Sequence, residues 1–213
     1  MKRALILTLP VAMGYIVIGI AFGLLLEKAG YNWVWALGSS VFVLAGSMQF
    51  VLVGLLAQQV PLYTVLITTL LVNSRHLFYG LSFIEHFKKM DWRRYYMIFS
   101  LTDETYAILT STEKESELMF KIAILNQTYW IIGSVLGSLM GSFIPFNTAG
   151  VEFAMSALFI VIVVEQWFDE KNRVSSIIGF ICAILALLIF GSEHFLLAAL
   201  GATLVALLLR IVK

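Results

Sequence analysis

Apolar residues fall in eight runs along the chain, at about 4–26, 33–57, 62–84, 97–112, 118–142, 151–168, 174–190 and 195–211. Short polar connections part them. A membrane-crossing helix needs about 20 such residues, with a working range near 17–25. The first, second and fifth runs reach that length easily, and the last three are short but adequate. The third and fourth are polar at their centres, one at "NSRH" (73–76) and the other at "LTDET" (101–105). The pattern predicts an all-α polytopic integral membrane protein with about 7–8 membrane helices, some broken or re-entrant. Residues 1–213 make one transmembrane domain, with no soluble domain attached.

Composition sharpens this picture. Charged residues make up 13% of the chain and mean hydropathy is +0.94, about half the charge of an ordinary soluble domain, where roughly a quarter is usual. The net charge of +1 leaves no basic footprint for nucleic acid. Cys182 is the single cysteine and sits in an apolar run, so neither a disulfide framework nor a cysteine metal site is expected. The start, "MKRALILTLP", has the basic opening of a signal peptide. Its apolar run is too long and lacks a small-residue cleavage site, so it is read as the first spanning helix.

Three stretches repeat in the same order. "YIVIGIAFG" (15–23) matches "YWIIGSVLG" (129–137) at Tyr, Gly and Gly. Downstream, "MQF" (48–50) pairs with "EQW" (165–167), and "RHLF" (75–78) with "EHFL" (193–196). Gln49 to His76 is 27 residues and Gln166 to His194 is 28. The halves would run about 4–96 and 118–213, joined by 97–117. Transporters are commonly built from such halves, with substrate bound between them. Lys2 and Arg3 favour a cytoplasmic N-terminus, and Lys88, Lys89, Arg93 and Arg94 a cytoplasmic 85–96 loop. Both hold only if 62–84 enters and returns; otherwise that loop faces outward. Whether the halves are inverted or parallel stays open.

Small residues offer close helix contact: Gly19 and Gly23 on one face, and Gly133, Gly137 and Gly141 in the second half. Pro10 is expected to kink the first helix. In "LAGSMQF" (44–50), the Gln49 amide offers donors and acceptors that suit a zwitterion, or equally an interhelical hydrogen bond. Arg75 is the strongest anomaly. A mid-membrane arginine costs roughly 2.5–3.5 kcal/mol on insertion scales and normally faces a cavity, an opposite charge or an anionic ligand. Asp103 and Glu104 are the nearest intramembrane acids in sequence, so Arg75 is expected to approach one of them beside Gln49 and Asn73. His76 adds a group able to change charge near neutral pH. Ser47, Phe50, Phe78, Tyr79 and Gln166 are candidate pocket-lining residues. No hydrolytic or phosphate-loop motif occurs, and adjacent Asp103 and Glu104 point about 100° apart on a helix. An enzyme, a metal or a cofactor is therefore not expected.

The strings "GYIVIGIAFGLL", "VFVLAGSMQFVLVGLL", "TTLLVNSRHLFYGLS" and "LTDETYAIL" resemble the AzlC family, the larger subunit of bacterial branched-chain amino-acid exporters. The resemblance runs from about Pro10 to the C-terminus and weakens beyond residue 118. It implies an inner-membrane permease exporting leucine, isoleucine and valine, and in some members methionine or azaleucine, with a small AzlD-like membrane partner. It implies no particular binding residues. A passive channel and a non-transporting scaffold subunit are the competing readings, and the cost of burying Arg75, Asp103 and Glu104 speaks against the scaffold.

Overall fold

The computed structural model describes residues 1–143, 160, 164, 167, 168 and 170–211. Its described residues form nine helical segments, in two compact units. The first unit holds α1 (Lys2–Lys28), α2 (Trp33–Phe42), α3 (Gly46–Ala57), α5 (Ser74–Phe87), α6 (Arg93–Phe99), α7 (Asp103–Ser111) and α8 (Ser116–Phe143). The second holds α4 (Leu62–Val72) and α9 (Glu170–Ile211). Within these, Lys2–Lys28, Ser116–Phe143 and Arg173–Gly191 are long and apolar enough to cross a membrane. The other described helices are shorter than a span; the expected all-helical architecture is present, and three full crossings are what the described residues show of the expected 7–8 membrane helices, some broken or re-entrant.

The first unit is organised on α1 and α8, which lie side by side and run parallel. Their backbones nearly touch. A Cβ placed on Gly23 would sit 2.1 Å from the Ser134 carbonyl oxygen, and one on Gly137 would sit 2.1 Å from that of Ile20. Gly19 and Gly133 meet the partner backbone at 3.0 and 2.8 Å in the same sense, and Gly141 faces the Glu27 side chain at 3.2 Å. Only hydrogen fits there, and in lipid such close approach supplies the dispersion contact that the hydrophobic effect does not. Outside the seam, α1 exposes Leu5, Ile6, Leu9, Met13 and Val17, and α8 exposes Ile124, Ile132, Leu136 and Met140. These apolar stripes suit acyl chains. Pro10 lies inside α1, which continues unbroken to Lys28.

The shorter helices fill the sides of this pair. The run 33–57, expected as one span, is two helices parted at Val43–Ala45, where Leu44 takes a left-handed φ of 43°. The break is tolerated because side chains take up the freed backbone groups. Gln127 Nε2 donates to the Ser40 and Val41 carbonyls at 3.4 and 3.1 Å, and the Ala45 N–H donates to Gln49 Oε1 at 3.2 Å. α2 ends beside Gln127. Gly46 then lies against the Trp130 ring, and Phe50, one turn on, packs on Phe22 further along α1. So α3 turns back toward the end from which α2 came.

The run 97–112 is likewise divided, into α6 and α7. Arg93, opening α6, shares a cleft of about 250 Å³ with Met1, Glu117 and Lys121. Thr102 caps α7 deep in the unit beside Tyr15, and beyond its end Glu113 pairs with Arg3 at 2.9 Å. α6 and α7 therefore descend from the end of the unit where α1 begins and return to it. α5 finishes at the same end, where Phe83 and Phe87 share an apolar cluster with Ala4, Met97, Leu109 and Ile122. The N-terminus and the basic 88–94 stretch thus lie on one side. Within this unit the chain doubles back in α2–α3 and again in α6–α7. The run 62–84 is divided at Asn73 (φ −90°, ψ 2°) into α4 and α5.

In the second unit, α9 folds at Gly191 (φ 70°, ψ 177°), a conformation open to glycine. Arg210 Nη1 then donates to Ser175 Oγ at 3.2 Å, and Thr203 faces Gly179. α4 packs on this hairpin with Thr68 fully buried. The expected run 151–168 lies outside the described residues apart from 160, 164, 167 and 168.

Two outcomes follow. Gly137→Ala must push the helices apart and should lower stability by about 1–3 kcal/mol, the scale of an overpacked core. Gly54→Ala, where nothing lies within 4 Å, should leave it unchanged or slightly raised; thermal melts in detergent compare the two. In a Cys182→Ser background, cysteines at Lys2 and Lys89 should both react with an impermeant thiol reagent from the same side of a vesicle.

Candidate functional site

Three helices begin around one guanidinium. Ser47 lies in the first turn of α3, Arg75 in the first turn of α5, and Asp103 opens α7. Arg75 Nη2 lies 2.8 Å from Asp103 Oδ2 and donates to Ser47 Oγ at 3.0 Å. The other carboxylate oxygen, Asp103 Oδ1, accepts from the Tyr79 hydroxyl at 2.7 Å. Tyr79 stacks on Tyr106 at 4.4 Å, and the His76 ring stands 5.8 Å from it.

Local sequence explains why each group sits there. Thr102 is extended (φ −76°, ψ 172°) and caps α7, accepting from the Thr105 N–H at 3.3 Å. Asp103 and Glu104 then occupy the first turn, where the positive end of the helix dipole favours carboxylates. Arg75 stands at the equivalent end of α5, where the dipole opposes its charge. Asp103 compensates. The contact is made through one guanidinium nitrogen rather than two prongs, and both side chains are about a third exposed (34% and 35%). Exposure of that order weakens the pair well below a buried one. It also leaves guanidinium surface open to a ligand. Arg75 Nε and Asn73 Oδ1 are buried and have no hydrogen-bond partner among the described residues.

Glu104 stands next to this pair and reaches the other way. Its Oε2 accepts from the Tyr15 hydroxyl at 2.6 Å, while the residue remains exposed. Tyr15 OH is 2.8 Å from Thr102 Oγ1, which is 3.0 Å from Thr105 Oγ1, and Asn126 Nδ2 donates to Thr105 Oγ1 at 3.0 Å.

The other candidates divide. Ser47, Arg75, Tyr79 and Asp103 are brought into direct contact, with Asn73 and His76 beside them. Gln49 is fully buried and its amide is engaged: Oε1 accepts from Ala45 N–H and from Trp130 Nε1 (2.9 Å), and Nε2 donates to Ser39 Oγ (3.2 Å). Its place is at the helix break, not beside Arg75. Phe50 is 1% exposed, in an aromatic cluster with Phe22 and Trp130. Gln166 and the Phe78 side chain lie outside the described residues. Sequence reasoning passed over Tyr15, Thr102, Asn126 and Gln127. The signal available was "LNQTYW" (125–130), four polar-bearing residues in a row inside an apolar run. Among the described residues, no group of three or more His, Cys, Asp or Glu is placed to hold a metal.

Comparison with known proteins places this architecture. Residues 10–144 match the family model described as AzlC protein. An uncharacterized membrane protein of Helicobacter pylori is 42% identical over 95% of this chain and 91% of its own length. The branched-chain amino acid transport protein AzlC of Bacillus subtilis is 35% identical over 92% of this chain and 80% of its own. The Escherichia coli inner membrane protein YgaZ is 27% identical over 90% and 82%. No solved structure matches. With a family model spanning most of the chain and a relative of this identity along almost its whole length, the protein is a membrane protein and belongs to the AzlC family.

Proposed function

We infer that the protein exports branched-chain amino acids — leucine, isoleucine and valine, with methionine or azaleucine as further substrates — across a bacterial plasma (inner) membrane. It works as a secondary, proton-coupled carrier with a small AzlD-like membrane subunit. The printed name of the Bacillus subtilis relative supports the substrate class. The observation that carries the reading is the half-open Arg75–Asp103 pair at the starts of three interrupted helices. Discontinuous helices aim positive dipole ends at anionic substrate groups in carriers of several folds. In this reading Arg75 and those helix starts hold the substrate carboxylate, the Glu104 carboxylate meets the ammonium, and Tyr79 with Tyr106 borders the apolar side chain. A zwitterion satisfies both charges at once.

Labelled valine in proteoliposomes, with and without the small subunit, tests this. Counterflow that leucine and isoleucine compete for is expected; flux without trans-stimulation would indicate a channel, and none with either preparation would indicate a scaffold. Arg75→Ala removes a charge-assisted hydrogen bond worth about 1.5–3 kcal/mol, so KM should rise at least about tenfold. Arg75→Lys should recover little of it, because an ammonium lacks the planar fork that reaches Asp103, Ser47 and a substrate carboxylate together. Wild-type exchange by Arg75→Ala protein would sink the assignment.

A further inference from the structure

Glu104 is the carboxylate that the Arg75–Asp103 pair does not use. Asp103 is already neutralised by Arg75 and accepts from Tyr79. Glu104 therefore leaves the group of three charges with one negative charge in excess when ionised, and with none when protonated. The titratable and charged groups around it are Asp103 on its own helix, Arg75, His76 and Tyr79 on α5, and Tyr15 on α1. What α8 contributes to its hydrogen-bond chain is Asn126, an uncharged amide.

Tyr15 is the hydroxyl that touches Glu104. It donates to the carboxylate at 2.6 Å and lies 2.8 Å from Thr102 Oγ1, a contact in which either hydroxyl can donate. Thr102 Oγ1 donates to Thr105 Oγ1 at 3.0 Å, and Thr105 Oγ1 also accepts from Asn126 Nδ2 at 3.0 Å. With Glu104 ionised, the single Tyr15 hydrogen points to the carboxylate. With Glu104 protonated, its own O–H can donate to Tyr15, and the Tyr15 hydrogen can turn to Thr102, which already donates onward to Thr105. Tyr15, 6% exposed, thus keeps a hydrogen-bond acceptor in both protonation states, as a buried hydroxyl must to avoid a large penalty.

We propose that Glu104 is the proton carrier of the exchange: its carboxylate holds either the substrate's ammonium or a proton, and the Tyr15 hydroxyl serves both states, donating to the carboxylate or accepting from the carboxyl. This rests on the carrier reading above. On one side of the membrane, the arriving ammonium displaces the proton from the Glu104 carboxyl to water, breaking its O–H bond. On the other side, a proton from water re-forms that bond and the amino acid leaves with its ammonium unchanged. One proton moves in for each zwitterion moved out. Because the two ligands compete for one carboxylate, the arrangement makes an antiporter, which is what uphill export along an inward proton gradient requires.

The test is substrate-triggered proton release. Leucine is added to the purified full-length protein, with its small subunit, in weakly buffered detergent solution, and calorimetry measures binding in parallel. Wild type should release up to one proton per leucine bound, Glu104→Gln should release none, and Tyr15→Phe should shift the release window to higher pH because the carboxylate loses a donor. Leucine binding without proton release, or equal release from Glu104→Gln, overturns the proposal and leaves the carrier reading standing. No leucine binding and no counterflow in wild type overturns the carrier reading and this proposal with it. Should Glu104→Gln fail to fold, infrared difference spectra supply the decision. A protonated-carboxyl band whose titration midpoint moves between wild type and Tyr15→Phe supports the assignment, and unmoved midpoints overturn it.

Discussion

Inside a bilayer, a backbone N–H or C=O freed by a helix break has no water to turn to. This chain breaks helices repeatedly, so each break must bring its own partners. At the α2–α3 break, Gln127 takes two carbonyls and Gln49 takes an amide. At the α6–α7 break, Thr102 caps the new helix with its hydroxyl. Most of these partners reach across from α8, or are held by it: Trp130 donates to Gln49, and Tyr96 fixes the Gln127 amide with a 2.6 Å hydrogen bond. The short helices are thus dependent on the long one. Polar residues that look out of place in the α8 sequence are what allow irregular backbone elsewhere.

Electrostatics follow from the same breaks. Each interrupted helix exposes a positive end within the unit, and the chain places Ser47, Arg75 and Asp103 at three of them. Two of those placements are locally favourable or neutral, and Arg75 is not. Its cost is met by Asp103 from the next broken element, so the ion pair ties α5 to α7 without sealing the guanidinium from outside. The tyrosines around it belong to different helices, Tyr15 to α1 and Tyr79 to α5, and each donates to a different neighbouring carboxylate. Adjacent acids on one helix turn thereby acquire different partners: Asp103 the Arg75 cation, Glu104 the Tyr15 hydroxyl.

How much of this was legible depended on whether the signal was local. The lengths of α1 and α8 follow from long, predominantly apolar runs. The interruptions near Asn73 and Thr102 follow from polar residues at the centres of their runs. Arg75 required a partner on energetic grounds, and sequence distance pointed to the acids at 103 and 104. The break at Val43–Ala45 was hidden because "VLAG" (43–46) is apolar throughout; only the left-handed Leu44 and the contact of Gly46 with Trp130 reveal it. Gln49 could not be placed from sequence, since an amide at mid-depth serves a ligand or a broken helix equally well. Its three partners lie 10 and 81 residues away and one helical turn behind it, which no periodicity encodes.

The seam between α1 and α8 has a symmetry of its own. Gly23 covers the carbonyl of Ser134, and Gly137 covers that of Ile20, at the same 2.1 Å for an added Cβ. In the matched strings "YIVIGIAFG" and "YWIIGSVLG", Ile20 and Ser134 hold the same place. Exchanging the two helices therefore returns nearly the same contact, and a local two-fold axis runs between them, along their length. Such an axis carries one helix onto the other without turning it over. The pair has a top and a bottom that differ, and no reflection or inversion through the plane of the bilayer maps one helix to its mate.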